Sequence, residues 1–194
     1  IDGKPLFENA SAVIPTGHKV GIVGRNGTGK TTLFRLIRRE WEVDGGQIEV
    51  PSDFRVGGVD QEAPASDISL LETVLAADLE RDQLLREADT ANDADRIGQI
   101  HARLVDIDAY SGEARAASIL AGLGFDQTAQ QRPCHEFSGG WRMRVALAAV
   151  LFAQPDLLLL DEPTNYLDVE GAIWLESFIA KYKHTVLVIS HDRT

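Results

Sequence analysis

The sequence predicts an α/β fold, in which a parallel sheet carries a glycine-rich loop and a helical segment is inserted in the middle of the chain. The loop, residues 24–31, lies between a short apolar run at 20–23 and a segment with helical spacing. Two uninterrupted apolar runs, at 157–160 and 185–189, have the length of strands covered on both faces of a parallel sheet. Residues 68–123, between the loop and these two runs, follow a helical pattern instead.

The first third of the chain consists of short strand-like runs separated by glycine and proline. We predict strands at 6–7, 19–23, 47–50 and 56–60. The glycine-rich loop follows the second of these runs and leads into a helical stretch at 32–37. A strand–loop–helix unit is therefore the simplest assembly.

The middle of the chain is predicted to be a set of helices. Ser69 and Glu72 form an S-x-x-E capping box at the start of the first. Apolar residues at helical spacing predict two more helices, at 94–109 and 112–123. A further long helix is expected from 138 to 153.

Composition indicates a folded, soluble and acidic protein. With 194 residues and 44% hydrophobic content, the chain can bury the core of one domain with an insertion. The net charge of −11 argues against a surface that tracks nucleic acid, and residues 62–137, with 15 acids and 6 arginines, carry −9 of it. No apolar run reaches membrane-spanning length, and the one cysteine, Cys134, permits no internal disulfide. We therefore expect a cytoplasmic location and no insertion into a membrane.

Residues 24–31 match G-x-x-x-x-G-K-[ST], a pattern that binds nucleotide phosphates. Its glycines let successive backbone N–H groups surround the phosphates, Lys30 supplies positive charge near the terminal phosphate oxygens, and the Thr31 hydroxyl can ligate Mg²⁺. An accidental glycine turn would not also lie between a strand and a helix. The residues of this loop are Gly24, Arg25, Asn26, Gly27, Thr28, Gly29, Lys30 and Thr31.

Two carboxylates follow the buried run at 157–160. Asp161 and Glu162 are thereby placed at the carboxyl end of a strand, where open α/β sheets hold their ligands. Asp161 suits a water-mediated hold on Mg²⁺, and Glu162 can polarise the water that attacks a phosphate. The alternative is a strand-end carboxylate that forms a turn with Pro163, and the pair alone does not decide between them.

Two further side chains follow predicted strands. His191 comes directly after the run at 185–189 and can reach a γ-phosphate or orient the attacking water. Gln61 follows the strand at 56–60 and offers an amide that can ligate Mg²⁺ or water. Each residue considered alone is equally well a plain strand-end side chain.

The segment at 137–141 opens the long helix predicted near the end of the chain. Ser138 can act as its N-cap, and the glycine pair Gly139 and Gly140 exposes backbone N–H donors. A helix start of this kind binds anions because its N–H groups and dipole face the ligand. An ordinary capped helix is the alternative.

Taken in order, these motifs resemble the ABC ATPase superfamily over essentially the whole chain. The resemblance implies binding of ATP and Mg²⁺, with Thr31, Gln61 and Asp161 at the metal and with Glu162, His191 and Gln61 in catalysis. It also implies head-to-tail pairing with a second ABC domain, so that Ser138 and the glycine amides contact ATP on the partner. The resemblance places the Walker A loop at residues Gly24 through Thr32, the Q-loop at Gln61 and the signature at Ser138, Gly139 and Gly140. It also implies that Asp161 and Glu162 form Walker B, that Asp168 is the D-loop residue and that His191 is the switch histidine.

The segments at 161–168 and 138–144 resemble, more narrowly, the first ATPase domain of an ABC-F protein. That resemblance implies two ATPase domains in one soluble chain and action on ribosomes as a translation factor or antibiotic-resistance protein. Trp141 stands where Gln is commoner, Tyr166 where His is frequent, and Ile1 where an adenine-stacking aromatic residue would lie.

The resemblance divides the chain into residues 1–61 and 138–194 of the ATP-binding core and a helical subdomain at 62–137 with a short arm insertion. The arm's acidity does not suit gripping RNA, and direct RNA contact is left open. The chain ends three residues after His191, where an ABC domain would continue, so we expect a fragment with weak ATPase activity. Two alternatives remain: the ATPase subunit of an ABC membrane transporter, and a nucleotide-gated binding module without turnover.

Overall fold

The computed structural model describes residues 7–59 and 61–190, which form two compact units. Among these residues, the first unit comprises 7–58, 154–165 and 176–190, and the second comprises 59, 61–153 and 166–175. The strands are β1 Lys19–Ile22, β2 Val56–Gly58, β3 Leu157–Asp161 and β4 Thr185–Ile189. The α-helices are α1 Lys30–Ile37, α2 Leu70–Leu75, α3 Leu79–Thr90, α4 Ala94–Asp106, α5 Gly112–Gly122, α6 Gln127–Gln130, α7 Gly139–Ala153 and α8 Val169–Lys181.

The first unit is built on a parallel sheet with the strand order β1-β4-β3-β2. The central strands β3 and β4 are almost wholly buried, as their unbroken apolar sequence predicts. Helix α1 packs through Phe34 and Ile37 against Leu159, Leu187 and Ile189. Since all four strands are parallel, their carboxyl ends lie along one edge of the sheet.

Most strand predictions are confirmed, and one is wrong. The predicted strands at 19–23, 56–60, 157–160 and 185–189 correspond to β1 to β4. Residues 47–50 form an irregular and mostly exposed stretch that belongs to no strand of the described sheet. The prediction at 6–7 includes Leu6, which lies outside the described residues.

The second unit is helical. The capping box at α2 is confirmed, because the Ser69 side chain accepts from the Glu72 N–H while the Glu72 carboxylate accepts from the Ser69 N–H. Helices α3 and α4 pack together around Ile100 and Leu104, with residues 91–93 connecting them. None of the helices in the described part of the chain is long and apolar enough to cross a bilayer.

Helix α7 is grouped with the helical unit, whereas the sequence analysis placed residues 138–153 with the ATP-binding core. Its packing explains the difference, because α7 contacts α2 and α5. The buried side chains of α7 are Val145, Leu147, Ala148, Leu151 and Phe152.

Candidate active site

The glycine-rich loop joins β1 to α1 in the first unit. Gly27 and Gly29 adopt left-handed backbone angles, with φ of 77° and 88°, which only glycine adopts without strain. Gly29 occupies the N-cap position of α1, so the loop leads directly into the first turn of the helix. The unpaired N–H groups of that turn and the positive end of the helix dipole favour an anion here.

Lys30 is held over this loop. Its Nζ donates to the carbonyl oxygens of Gly24 at 2.8 Å and Arg25 at 3.1 Å. The Thr28 hydroxyl donates to the same Arg25 carbonyl at 2.8 Å and closes the turn. An ammonium group at this loop fits the terminal phosphates of a nucleotide.

Thr31 meets Asp161 where α1 begins and β3 ends. The Thr31 hydroxyl donates to Asp161 Oδ2 at 2.6 Å, which brings two of the three predicted metal ligands into contact. Hydroxyl and carboxylate oxygens are donors that Mg²⁺ accepts, usually together with substrate phosphates. No group of three or more His, Cys, Asp or Glu side chains forms a metal cage among the described residues. The pair therefore suits a magnesium ion that arrives with its nucleotide.

Glu162 follows with an unusual backbone. Its φ of 47° lies in the left-handed region, which costs a non-glycine residue on the order of 1–3 kcal/mol. The Glu162 N–H donates to the Ile189 carbonyl at 2.9 Å, and the Asn165 N–H donates to the Glu162 carbonyl at 3.1 Å. These backbone bonds fix the position of a half-buried acid directly after Asp161. His191 lies outside the described residues, and its role stays a prediction.

The signature residues lie at the start of α7 in the second unit. The Arg142 N–H donates to the Ser138 carbonyl at 2.9 Å, which places Ser138 at the N-cap position, and its side chain is exposed. A Cβ on Gly140 would meet no atom within 4 Å, whereas one on Gly139 would lie 2.4 Å from Glu62 Oε2. A side chain at Gly139 would therefore have to displace the end of the exposed Glu62 side chain.

Gln61 is exposed and belongs to the same unit as the signature. Its neighbour Glu62 accepts from Arg142 Nη2 at 2.7 Å, and the Ala63 N–H donates to the Arg142 carbonyl at 3.1 Å. The segment after Gln61 is thereby attached to the first turn of α7. Sequence reasoning missed Glu62 and Arg142, since residues 80 positions apart give no local signal.

Asp168 is held from two sides. Its Oδ1 accepts from the Gly171 N–H at 2.9 Å in the first turn of α8, and its Oδ2 accepts from Arg144 Nη1 at 3.1 Å. The Gly171 N–H, followed by the Arg144 guanidinium, holds the pKa of the Asp168 carboxyl below its ordinary value. Sequence reasoning used Arg144 only as part of a motif and found no role for it.

Comparisons with known proteins show which family the chain belongs to. The family model described as ABC transporter matches residues 7–165. The chain is 48% identical over 191 residues to the probable ATP-binding protein YheS of Haemophilus influenzae, covering 97% of this chain and 30% of that protein. It is 44% identical to ATP-binding cassette sub-family F member 3 of Homo sapiens, covering 97% of this chain and 27% of that protein.

One solved structure is similar in both sequence and fold. It is the crystal structure of the complex of archaeal ribosomal stalk protein aP1 and archaeal ribosome recycling factor aABCE1, with 29% identity and a TM-score of 0.63 over 92% of this chain and 30% of that chain. The chain thus spans about 30% of the length of the curated relatives it matches.

Proposed function

Since the chain belongs to the ABC transporter family, and its relatives confirm the predicted resemblance to ABC-F proteins, we propose that it binds and hydrolyses ATP as one ABC domain of a ribosome-associated translation factor. The observation that carries the proposal is the bond between Thr31 and Asp161. It joins the end of the phosphate loop to the end of β3, next to the held carboxylate of Glu162. ATP is the ligand of this family's domains, and Mg²⁺ belongs to the proposal.

The site residues of the first unit have different roles in the proposed reaction. The loop N–H groups and Lys30 bind the β- and γ-phosphates and balance their charge. Glu162 accepts the proton of the attacking water while the water oxygen bonds to the γ-phosphorus and the bond to the β–γ bridging oxygen breaks. Mg²⁺, held by Thr31 and through water by Asp161, would neutralise charge that develops on the phosphate oxygens.

The signature residues point to a second domain. In the proposed sandwich, Ser138 and the amides of Gly139 and Gly140 contact ATP held on the loop of the other domain, and the two domains close head to tail. The length of the curated relatives leaves room for such a domain in the same chain. A cytoplasmic location and ribosome binding follow by analogy with the relatives and with the 29% identical ribosome recycling factor.

The test uses the complete gene product. Glu162→Gln should retain ATP binding and lower the turnover rate by about 100-fold or more, which is the usual loss when a general base is removed. Glu176→Gln, which changes an exposed acid on α8, is the matched control and should keep the wild-type rate. Normal turnover in Glu162→Gln would show that another residue acts as the general base.

Ribosome binding is measured separately. Glu162→Gln, which should trap bound ATP, is expected to sediment with ribosomes when ATP is present and to remain free with ADP. ATP hydrolysis without ribosome binding would refute the translation role and leave the proposed ATPase activity standing. A product recovered with membranes would support the transporter alternative.

A further inference from the structure

We propose that Arg144 is a positioning residue for ATP hydrolysis, which fixes the D-loop residue Asp168 to the helix that begins at the signature glycines. This inference rests on the proposed function, because it assigns a residue to the same composite site. All the contacts that carry it lie within the second unit.

The mostly buried side chain of Arg144 contacts four residues of this unit. Its side chain is only 12% exposed and lies on α7, six residues after Ser138. The guanidinium donates through Nε to the Tyr166 carbonyl, and through Nη1 to the Leu123 carbonyl at 3.2 Å. Its Cζ lies 4.3 Å from the ring centroid of Trp141, the residue directly after the signature glycines.

The Nη1 group also donates to Asp168 Oδ2 at 3.1 Å. The other carboxylate oxygen of Asp168 accepts from the Gly171 N–H at 2.9 Å and caps α8. One carboxylate therefore joins α7 to α8 through two different oxygens. Because its side chain is 57% exposed, the ion pair itself adds little stability, and the fixed geometry is the main consequence.

The arrangement requires arginine. A guanidinium is planar and carries several fixed donors, so it can stack on an indole and bond two carbonyls and a carboxylate at once. A lysine keeps the charge, but its single ammonium cannot occupy those positions together. The side chain thus sets where Asp168 lies relative to Trp141 and the signature turn.

A change at Arg144 should misalign Asp168 relative to the signature without lowering the affinity for ATP. In the proposed sandwich, the signature and Asp168 present one face to the second domain, and a misplaced group in such a face slows the chemical step. The phosphate loop, which provides ATP affinity, belongs to the other unit of the chain. Turnover and affinity should therefore respond differently to a change at Arg144.

The experiment compares variants of the complete gene product. Arg144→Ala should lower kcat at least tenfold while the Kd for ATP changes by less than about twofold, as expected for lost alignment. Arg144→Lys should have a kcat that is lowered like that of Arg144→Ala and remains below the wild-type value. Thermal melting shows whether each variant is folded. Arg86→Ala removes an exposed arginine that pairs with Asp82 on α3, and as the matched control it should keep the wild-type kcat.

A double-mutant cycle then asks whether Arg144 acts through Asp168. Arg144→Ala in an Asp168→Ala background should cost almost nothing further in kcat, because the carboxylate it positions is already missing. Additive losses, or full rescue by Arg144→Lys, would overturn the proposal.

A structural readout separates this inference from the proposed function. Amide hydrogen exchange at 166–172 should rise severalfold in Arg144→Lys while exchange at 19–37 stays unchanged. Unchanged exchange at 166–172 would overturn the inference even if ATP is hydrolysed. A wild-type protein without turnover would refute the proposed ATPase, and the exchange experiment would still decide the role of Arg144 in holding this segment.

Discussion

A methyl group at Gly122, the last residue of α5, would overlap the indole ring of Trp174 on α8. A Cβ built there lies 1.9 Å from Cε2 and 2.3 Å from both Cδ2 and Nε1 of that ring. These atoms belong to a rigid fused ring that cannot bend aside, so the indole or the whole of α8 must move. We therefore predict that Gly122→Ala destabilises the helical unit, although alanine is the better helix former.

The magnitude follows from two opposing effects. Overpacking of a well-packed interior costs about 1–3 kcal/mol. Replacing a helical glycine by alanine gains roughly 0.5–1 kcal/mol in a helix interior and less at a helix end. We expect a net loss of about 1–2 kcal/mol for Gly122→Ala. Gly98→Ala in α4 is the matched control, since its Cβ would meet no atom within 4 Å and the change should stabilise the protein.

Equilibrium unfolding in urea measures both variants. Gly122→Ala should lower the midpoint with an unchanged slope, and Gly98→Ala should raise it slightly. Adding Trp174→Leu to Gly122→Ala should recover part of the loss, because the smaller side chain removes the overlap. A midpoint for Gly122→Ala at or above the wild-type value would refute the packing of α5 against α8.

Three further predictions concern the nucleotide. Lys30→Ala should weaken MgATP binding sharply, because the phosphates lose their nearest positive charge, and unchanged affinity by calorimetry would contradict this. Thr31→Val keeps the side-chain shape but removes the hydroxyl bonded to Asp161, so half-maximal turnover should require several times more Mg²⁺; an unchanged Mg²⁺ titration would remove Thr31 from the metal site. Alanine substitutions of exposed acids at 78–95 should leave ATP affinity nearly unchanged, and a large change would mean that α3 contacts the nucleotide.

The strands and the phosphate loop were predictable because their signals are local. Unbroken apolar runs identified β3 and β4, and the loop pattern identified the left-handed Gly29 before α1. The bond between Thr31 and Asp161 was also foreseeable, since parallel strands bring their carboxyl ends to one edge of the sheet. The strand predicted at 47–50 was wrong because alternation shows which residues suit a strand and not whether a neighbouring strand exists.

The contacts of the helical unit could not be predicted in the same way. Helical periodicity shows which face of α7 is buried, but it does not identify the residue that each side chain meets. Arg142 and Arg144 both follow the signature within the first turns of α7, and only the fold shows that the first pairs with Glu62 and the second with Asp168. The left-handed backbone of Glu162 is likewise a tertiary result, because its N–H is fixed by a carbonyl on β4.

Helix α7 connects three motifs that lie far apart in the sequence. Its first turn carries the signature, Arg142 ties it to Glu62 beside Gln61, and Arg144 ties it to Asp168. Any displacement of α7 must therefore carry these groups with it or break its bonds to Glu62 and Asp168, two half-exposed acids whose ion pairs fix geometry more than they add stability. The Glu62 carboxylate also lies at the positive end of the α7 dipole, the place where the proposed sandwich brings a phosphate. In the proposed sandwich the incoming phosphate would therefore meet the Glu62 carboxylate at this helix start, and Arg142 Nη2, at 2.7 Å from Glu62, offsets part of that negative charge.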